Sequence, residues 1–305
     1  MDNNKIMIVG TGNVGASIAF AALNQRTAIN EIVLTDIMAE DAEGEAMDLR
    51  DALAVAPSHL KISNGTYRDA KDCDIVVITA GVAQKPGETR MELLNKNAAI
   101  LKDMISQIME SGFDGIIIMV TNPMDVMTQM ALEFSGLPTE RVIGSGTILD
   151  SARLRERVSS YLNVNPKSVH AYQVGEHGDT ELTLWSLADI GGQKVTELLP
   201  QDTLASISDF VKNEAYQIIE KKGATYYGIA TCVLQLINCI FNDEMRVLPV
   251  SSYDDFSGTC FGWPTVVGRK GVMRRLDVKI SEEEGIMLQK SINALKKARE
   301  MIETK

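Results

Sequence analysis

Lys5-Ile6-Met7-Ile8-Val9-Gly10-Thr11-Gly12-Asn13-Val14-Gly15 is the stretch whose reading decides the fold. A compact, mostly aliphatic run at 5–9 reads as a buried strand, and the small-residue pattern at 14–23 reads as a helix. Between them stands G-x-G-x-x-G, a weak signal alone but one with a mechanism in this setting. Gly10 permits a tight turn, Gly12 lets a pyrophosphate approach the backbone, and Gly15 lets helix and strand pack closely. The helix N-terminus then faces the negative charge. A second strand, 31–36, is β-branched and ends on Asp36, about 20 residues beyond the glycines. A carboxylate there accepts hydrogen bonds from an adenosine ribose and repels a 2′-phosphate, which favours NAD over NADP.

Outward from this stretch, residues 74–80 and 115–120 are Ile/Val runs of the kind found in parallel sheets buried on both faces. Between them Leu94, Asn97, Leu101, Met104, Ile105 and Ile108 recur at a helical period. Strand, helix, strand, repeated, predicts an α/β fold: a doubly wound parallel Rossmann sheet with right-handed crossovers. The pattern changes after Gly144. Residues 150–162 read as a charged amphipathic helix, 169–199 as a mixed region with a turn at Gly191-Gly192, and 202–222 and 226–243 as long helices. A last helix opens at Ser281, with Glu284 three residues on as a capping box. Two domains are expected, an NAD-binding domain at 1–144 and a mixed α+β catalytic domain at 145–305.

Composition narrows the function. A chain of 305 residues suits two domains of about 150 residues each. The net charge of −11 argues against nucleic acid and anionic membrane surfaces, which need a basic face. The apolar runs fall short of the ~18 residues that span a bilayer, and no targeting segment is visible, so a cytoplasmic protein is expected. Cys73, Cys232, Cys239 and Cys260 show no C-x-x-C spacing and read as buried free thiols of a reducing compartment.

Three further segments carry chemistry. Residues 80–90 follow a strand, where ligands of parallel sheets bind, and Gly81, Pro86 and Gly87 suit a lid. Thr121-Asn122-Pro123 follows the next strand and offers an amide to a substrate carbonyl. The third segment joins Asp150-Ser151-Ala152-Arg153 to Gly175-Glu176-His177-Gly178-Asp179. Asp150 and Arg153, three apart on a helix, project from one face. Arg153 can then grip a carboxylate bidentately while Asp150 reaches the imidazole of His177, fixes its tautomer and raises its pKa. Such a pair suits a base that takes a hydroxyl proton as hydride leaves, and an acid in reverse. A Ser hydrolase is disfavoured because no G-x-S-x-G elbow occurs. No metal is expected, since His59, His170 and His177 form no ligand motif. A non-catalytic NAD sensor would not need His177, Asp150, Arg153 and Arg90 together.

These motifs, most specifically residues 80–90, 120–125, 144–153 and 175–180, identify a resemblance to the L-lactate/malate dehydrogenase family, nearest to its bacterial lactate members. The resemblance implies the reaction (S)-lactate + NAD+ = pyruvate + NADH + H+, with His177 as proton donor and acceptor and Asp150 as its partner. It implies that Arg153 binds the substrate carboxylate, Arg90 comes down with the lid to polarise the carbonyl, and Asn122 binds substrate and nicotinamide. Val14, Tyr67, Gly81, Val82, Val120, Asn122 and Ser145 join Gly10, Gly12, Gly15 and Asp36 as expected cofactor contacts.

Gln84 stands where malate-using relatives carry arginine. A second carboxylate left unpaired opposite it would cost roughly 3–5 kcal/mol. Thr225 matches the residue that narrows the lactate pocket. Residues 251–261 are shorter than usual and look more like the L-2-hydroxyisocaproate dehydrogenases, so a larger 2-hydroxy acid stays open as the alternative. Residues 50–53 lack the family's usual histidine-bearing sequence, and Asp41 replaces a common lysine near the adenosine. Arg155 and His170 match positions that bind fructose 1,6-bisphosphate in allosteric bacterial members. The family also implies a homotetramer.

Overall fold

The computed structural model describes residues 3–82 and 90–302, side chains at 90 and 91 excepted. The aliphatic run Lys5–Val9 forms β1, and Gly10, at φ 97°, turns the chain into helix α1, Asn13–Asn24. The alternation continues as β2 (Glu31–Thr35), α2 (Ala39–Ala52), β3 (Lys61–Asn64) and β4 (Ile75–Ile78). It ends with α3 (Arg90–Glu110), β5 (Ile116–Met119), α4 (Met124–Ser135) and β6 (Val142–Gly144). All six strands are parallel, in the order β3-β2-β1-β4-β5-β6. The order reverses direction between β1 and β4, and that reversal leaves a crevice at the strands' carboxyl ends.

Period-two alternation explains why these strands are aliphatic throughout. Ile6, Ile8, Ile32, Leu34, Ile75 and Val77 belong to the core that includes α1 and α2. Their neighbours Met7, Val9, Val33, Val76 and Ile78 belong to the opposite core, with α3 and α4. Both faces are covered, so β4, β5 and β6 are buried at every position, and exposed residues are left to the edge strand β3.

Beyond β6 come α5 (Ile148–Leu162), β7 (Val169–His170), β8 (Gln173–Val174), β9 (Leu182–Thr183), β10 (Asp189–Ile190) and β11 (Gln193–Lys194). Then follow α6 (Val195–Leu198), α7 (Gln201–Lys222), α8 (Tyr227–Phe241), β12 (Arg246–Asp254), β13 (Thr259–Gly268), β14 (Gly271–Arg275) and α9 (Glu282–Glu300). The Gly191-Gly192 turn joins β10 to β11, both glycines at positive φ. The capping box at α9 is formed: the Glu284 backbone N–H donates to Ser281 Oγ and the Ser281 N–H to Glu284 Oε2.

Strands β12, β13 and β14 are antiparallel and extend the first sheet through one pairing, Ser251 with Gly144, giving nine strands. Pairing thus changes from parallel to antiparallel at β6. A separate core forms between α5, β7 and α7, from Leu154, Val158, Val169, Leu204, Ile207 and Val211. Helices α8 and α9 instead return to the two faces of the parallel sheet. Among the described residues no helix is long and apolar enough to cross a membrane.

Candidate active site

The described residues expected to contact the cofactor gather where β-strands end. Gly10 and Gly12 follow β1, Asp36 follows β2, Tyr67 follows β3, Gly81 and Val82 follow β4, Val120 and Asn122 follow β5, and Ser145 follows β6. Val14 and Gly15 lie in the first turn of α1. Two glycines show why no side chain belongs in this turn. A Cβ on Gly15 would sit 1.9 Å from the Gly10 carbonyl oxygen, whereas one on Gly12 would meet nothing within 4 Å. Gly15 is therefore required for packing, and Gly12 leaves an open cradle. Gly12 caps α1 without any side chain, so the first N–H groups of the helix remain for an anion. Asp36 is tied to the same turn: its Oδ2 accepts from the Thr11 backbone N–H at 2.7 Å and hydroxyl at 3.1 Å. A glycine cradle, a helix start and an anchored carboxylate fit a dinucleotide.

The catalytic half is assembled from three elements. The hydroxyl of Thr147 donates to the Gln173 carbonyl at 2.6 Å, and Ser151 Oγ accepts from the Gln173 N–H at 2.8 Å. These bonds lock the start of α5 against β8. Past β8, Gly175 and Gly262 exchange backbone hydrogen bonds, and Glu176 N–H donates to Ser291 Oγ of α9. A Cβ on Gly175 would lie 2.6 Å from that hydroxyl, and its φ is 86°. Glycine is required there, and the loop it starts delivers His177.

His177 Nδ1 lies 2.7 Å from Asp150 Oδ2, and Asp150 Oδ1 lies 2.9 Å from Arg153 Nη1. One buried carboxylate thus holds the imidazole with one oxygen and the guanidinium with the other. The charge of Asp150 raises the His177 pKa to about 9, outweighing burial. Burial works to raise the Asp150 carboxyl, yet His177 and then Arg153 hold it below the ordinary carboxylate range.

Three acids that sequence reasoning left without a role also converge here. Asp125, buried in the first turn of α4, accepts the His177 backbone N–H at 2.7 Å. Burial pushes its carboxyl up to about 6. Glu181 offers an oxygen within 4.8 Å of ligand atoms of His177 and Asp150 and accepts from Gln173 Nε2 at 3.0 Å. Burial first, then the charge of Asp150, pushes it up to about 8. Glu214 of α7 lies 3.7 Å from Arg153 Nε. In sequence each reads as an ordinary helix or loop acid. Only Asp125, two residues beyond Asn122-Pro123, carried a local hint.

The other expected site residues are placed as follows. Asn122 is exposed at the end of β5, and Thr225 is half-buried between α7 and α8. Val82, at the root of the expected lid, is clamped by buried Asn97, whose Oδ1 accepts the Val82 N–H at 2.9 Å. Gln84, Pro86 and Gly87 lie outside the described residues, as does the side chain of Arg90, whose backbone opens α3. Arg155 and His170 share a cavity of about 230 Å³ with Lys167 and Arg246. His170 Nδ1 is 3.7 Å from Asp189 there, and burial lowers the Arg155 pKa.

Residues 4–144 match the lactate/malate dehydrogenase NAD binding domain, and residues 147–305 match the family's alpha/beta C-terminal domain. The chain belongs to the lactate/malate dehydrogenase family. Among its relatives, L-lactate dehydrogenase 1 of Bacillus cereus is 48% identical, over 96% of each chain. L-lactate dehydrogenase of Bacillus velezensis is also 48% identical, over 96% of this chain and 95% of that one. The crystal structure of MGS-M5, a lactate dehydrogenase from a Medee basin deep-sea metagenome library, superposes with a TM-score of 0.97 at 43% identity, covering 99% of each chain. The ligand-bound minor L-lactate dehydrogenase of Enterococcus mundtii gives 0.96 at 41% identity, again over 99% of each chain. As a member of this family the chain is an oxidoreductase that uses NAD.

Proposed function

We propose that this family member is an L-lactate dehydrogenase that interconverts (S)-lactate and pyruvate. The observation that carries the reading is the 2.7 Å pair of His177 and Asp150, with Arg153 2.9 Å from the same carboxylate. NAD, when bound, supplies the two-electron chemistry at the substrate's C2. The Gly10–Gly15 turn would hold its pyrophosphate and Asp36 its ribose, with Val14, Tyr67, Gly81, Val82, Val120, Asn122 and Ser145 lining the rest. Arg153 would hold the substrate carboxylate, so that C2 and its oxygen face His177. In the reducing direction His177 Nε2 gives a proton to that oxygen, and in the oxidising direction it takes the proton back. Asp150 stabilises the charged imidazole through Nδ1 and keeps Nε2 toward substrate. Arg90 would polarise the carbonyl, Asn122 would bind the same oxygen, and Gln84 and Thr225 would disfavour a second carboxylate or a longer side chain.

Steady-state kcat/KM with NADH and pyruvate, 2-oxoisocaproate or oxaloacetate tests substrate choice. Pyruvate should rank first and oxaloacetate last. Preference for oxaloacetate would contradict the role given to Gln84, and preference for 2-oxoisocaproate would support the larger-substrate alternative.

The cavity among Arg155, His170, Lys167 and Arg246 supports a second, regulatory reading, since clustered cations suit a doubly phosphorylated sugar. In the same assay fructose 1,6-bisphosphate should lower the KM for pyruvate, and superimposable saturation curves would exclude it. We infer a homotetramer working in the cytoplasm. Exposed Phe20, Met47 and Tyr227 near a cavity of about 420 Å³ beside α1, α2 and α8 support burial against another copy. The four free, buried cysteines suit a reducing compartment.

A further inference from the structure

Arg153, the residue proposed above to receive the substrate carboxylate, is buried, and two carboxylates already stand against it. They differ in kind. Asp150 is buried on the same helix, hydrogen-bonded to Arg153 at 2.9 Å and to His177 at 2.7 Å, and belongs to the fixed framework. Glu214 comes from a different element, α7, and its side chain is 26% exposed. Its Oε2 stands 3.7 Å from Arg153 Nε, close enough for charge attraction but too far for a hydrogen bond. That oxygen is buried and, among the described residues, has no hydrogen-bond partner. Burial raises the Glu214 carboxyl above the ordinary range, with Arg153 and Arg157 pulling the other way and Glu156 and Asp150 adding to the rise. A loosely held, poorly solvated carboxylate facing a carboxylate-binding guanidinium occupies the electrostatic role that a substrate anion would take over.

We propose that Glu214 is a displaceable internal counter-ion of Arg153, a positioning residue that sets the affinity for the substrate carboxylate by competing with it. With one more negative charge near the site, every monocarboxylate substrate binds more weakly than Arg153 alone would allow. Partial exposure of the side chain gives Glu214 a route out toward water when substrate arrives. The inference rests on the reading of Arg153 as the substrate's carboxylate partner.

Glu214→Gln removes the charge and keeps the shape, Glu214→Asp keeps the charge, and Arg153→Gln tests the underlying reading. Each variant, as the full chain with NADH, is measured for KM and kcat with pyruvate, for the KM of NADH, and for thermal unfolding. For Glu214→Gln the KM for pyruvate should fall about threefold or more, the scale of a partly exposed charge pair. Its kcat and its KM for NADH should stay within about twofold. Glu214→Asp should stay nearer the parent, and Arg153→Gln should raise the pyruvate KM steeply. If Arg153→Gln raises that KM while Glu214→Gln leaves it unchanged or raises it too, the counter-ion role is overturned and the Arg153 reading stands. A pyruvate KM untouched by Arg153→Gln overturns both.

Discussion

At the scale of single residues, the site is a problem of holding six ionisable groups together: His177, Asp150, Arg153, Asp125, Glu181 and Glu214. His177, Asp150 and Arg153 form a continuous chain of contacts in which each charge has a partner. His177 is charged at neutral pH because its pKa is raised to about 9. The stability this contributes is fully present below the ordinary 6.5 and is lost as pH rises through about 9. Glu181 has the opposite character: burial pushes it up to about 8, so at neutral pH it is an uncharged carboxyl. Glu181→Gln, a neutral isostere, should therefore match the parent's kcat/KM for pyruvate at pH 7. The two should diverge only above about pH 8, where the parent carboxyl ionises beside Asp150. Rates that already differ strongly at pH 7 would mean that Glu181 is ionised there. Asp150 and Arg153 were legible in sequence through their spacing, and His177 through its glycine-flanked loop and its occurrence beside a nucleotide signature. Asp125, Glu181 and Glu214 were not, because their roles depend on burial and on neighbours far along the chain.

At the scale of elements, the glycine turn separates packing from binding. Gly15→Ala places a methyl against the Gly10 carbonyl, a clash that the turn cannot relieve without moving. It should cost about 1–3 kcal/mol, seen as a lower midpoint in thermal unfolding. Gly12→Ala meets no atom, so its midpoint should hold while NADH binding weakens roughly tenfold. Equal losses of stability in the two variants would refute that division. The strands β1, β2, β4 and β5 announce themselves because parallel strands covered on both faces must be aliphatic throughout. Other elements are quieter. Helix α2 buries only Ala42, Ala46 and Leu49, too thin a stripe to stand out. In β12 and β13, Pro249 and Pro264 pair in mid-strand, where proline usually argues against a strand. They are tolerated because their carbonyls point outward, to the N–H groups of Thr147 and Leu276, and so would the missing N–H donors. Every residue of β13 is buried, so no alternation marks it either.

At the scale of the whole molecule, the two matched regions would each contribute half of the proposed reaction site. The nucleotide turn lies on the parallel sheet, and the His177 loop is carried by β8 and braced by α4, α5 and α9. Asp125 is the direct link: a side chain beside the Asn122 loop that holds the backbone of His177. Reduction of a 2-oxo acid needs the protonated imidazole, so activity should fall as pH rises through the pKa that Asp150 maintains. The pH dependence of kcat/KM for pyruvate reduction, in the parent and in Asp150→Asn, measures this most directly. The parent should hold a plateau and decline above about pH 9. The variant should be slower by about 10²–10⁴-fold and should begin its decline at clearly lower pH than the parent, because burial is no longer outweighed by Asp150. Superimposable profiles, or turnover undiminished in the variant, would contradict the account.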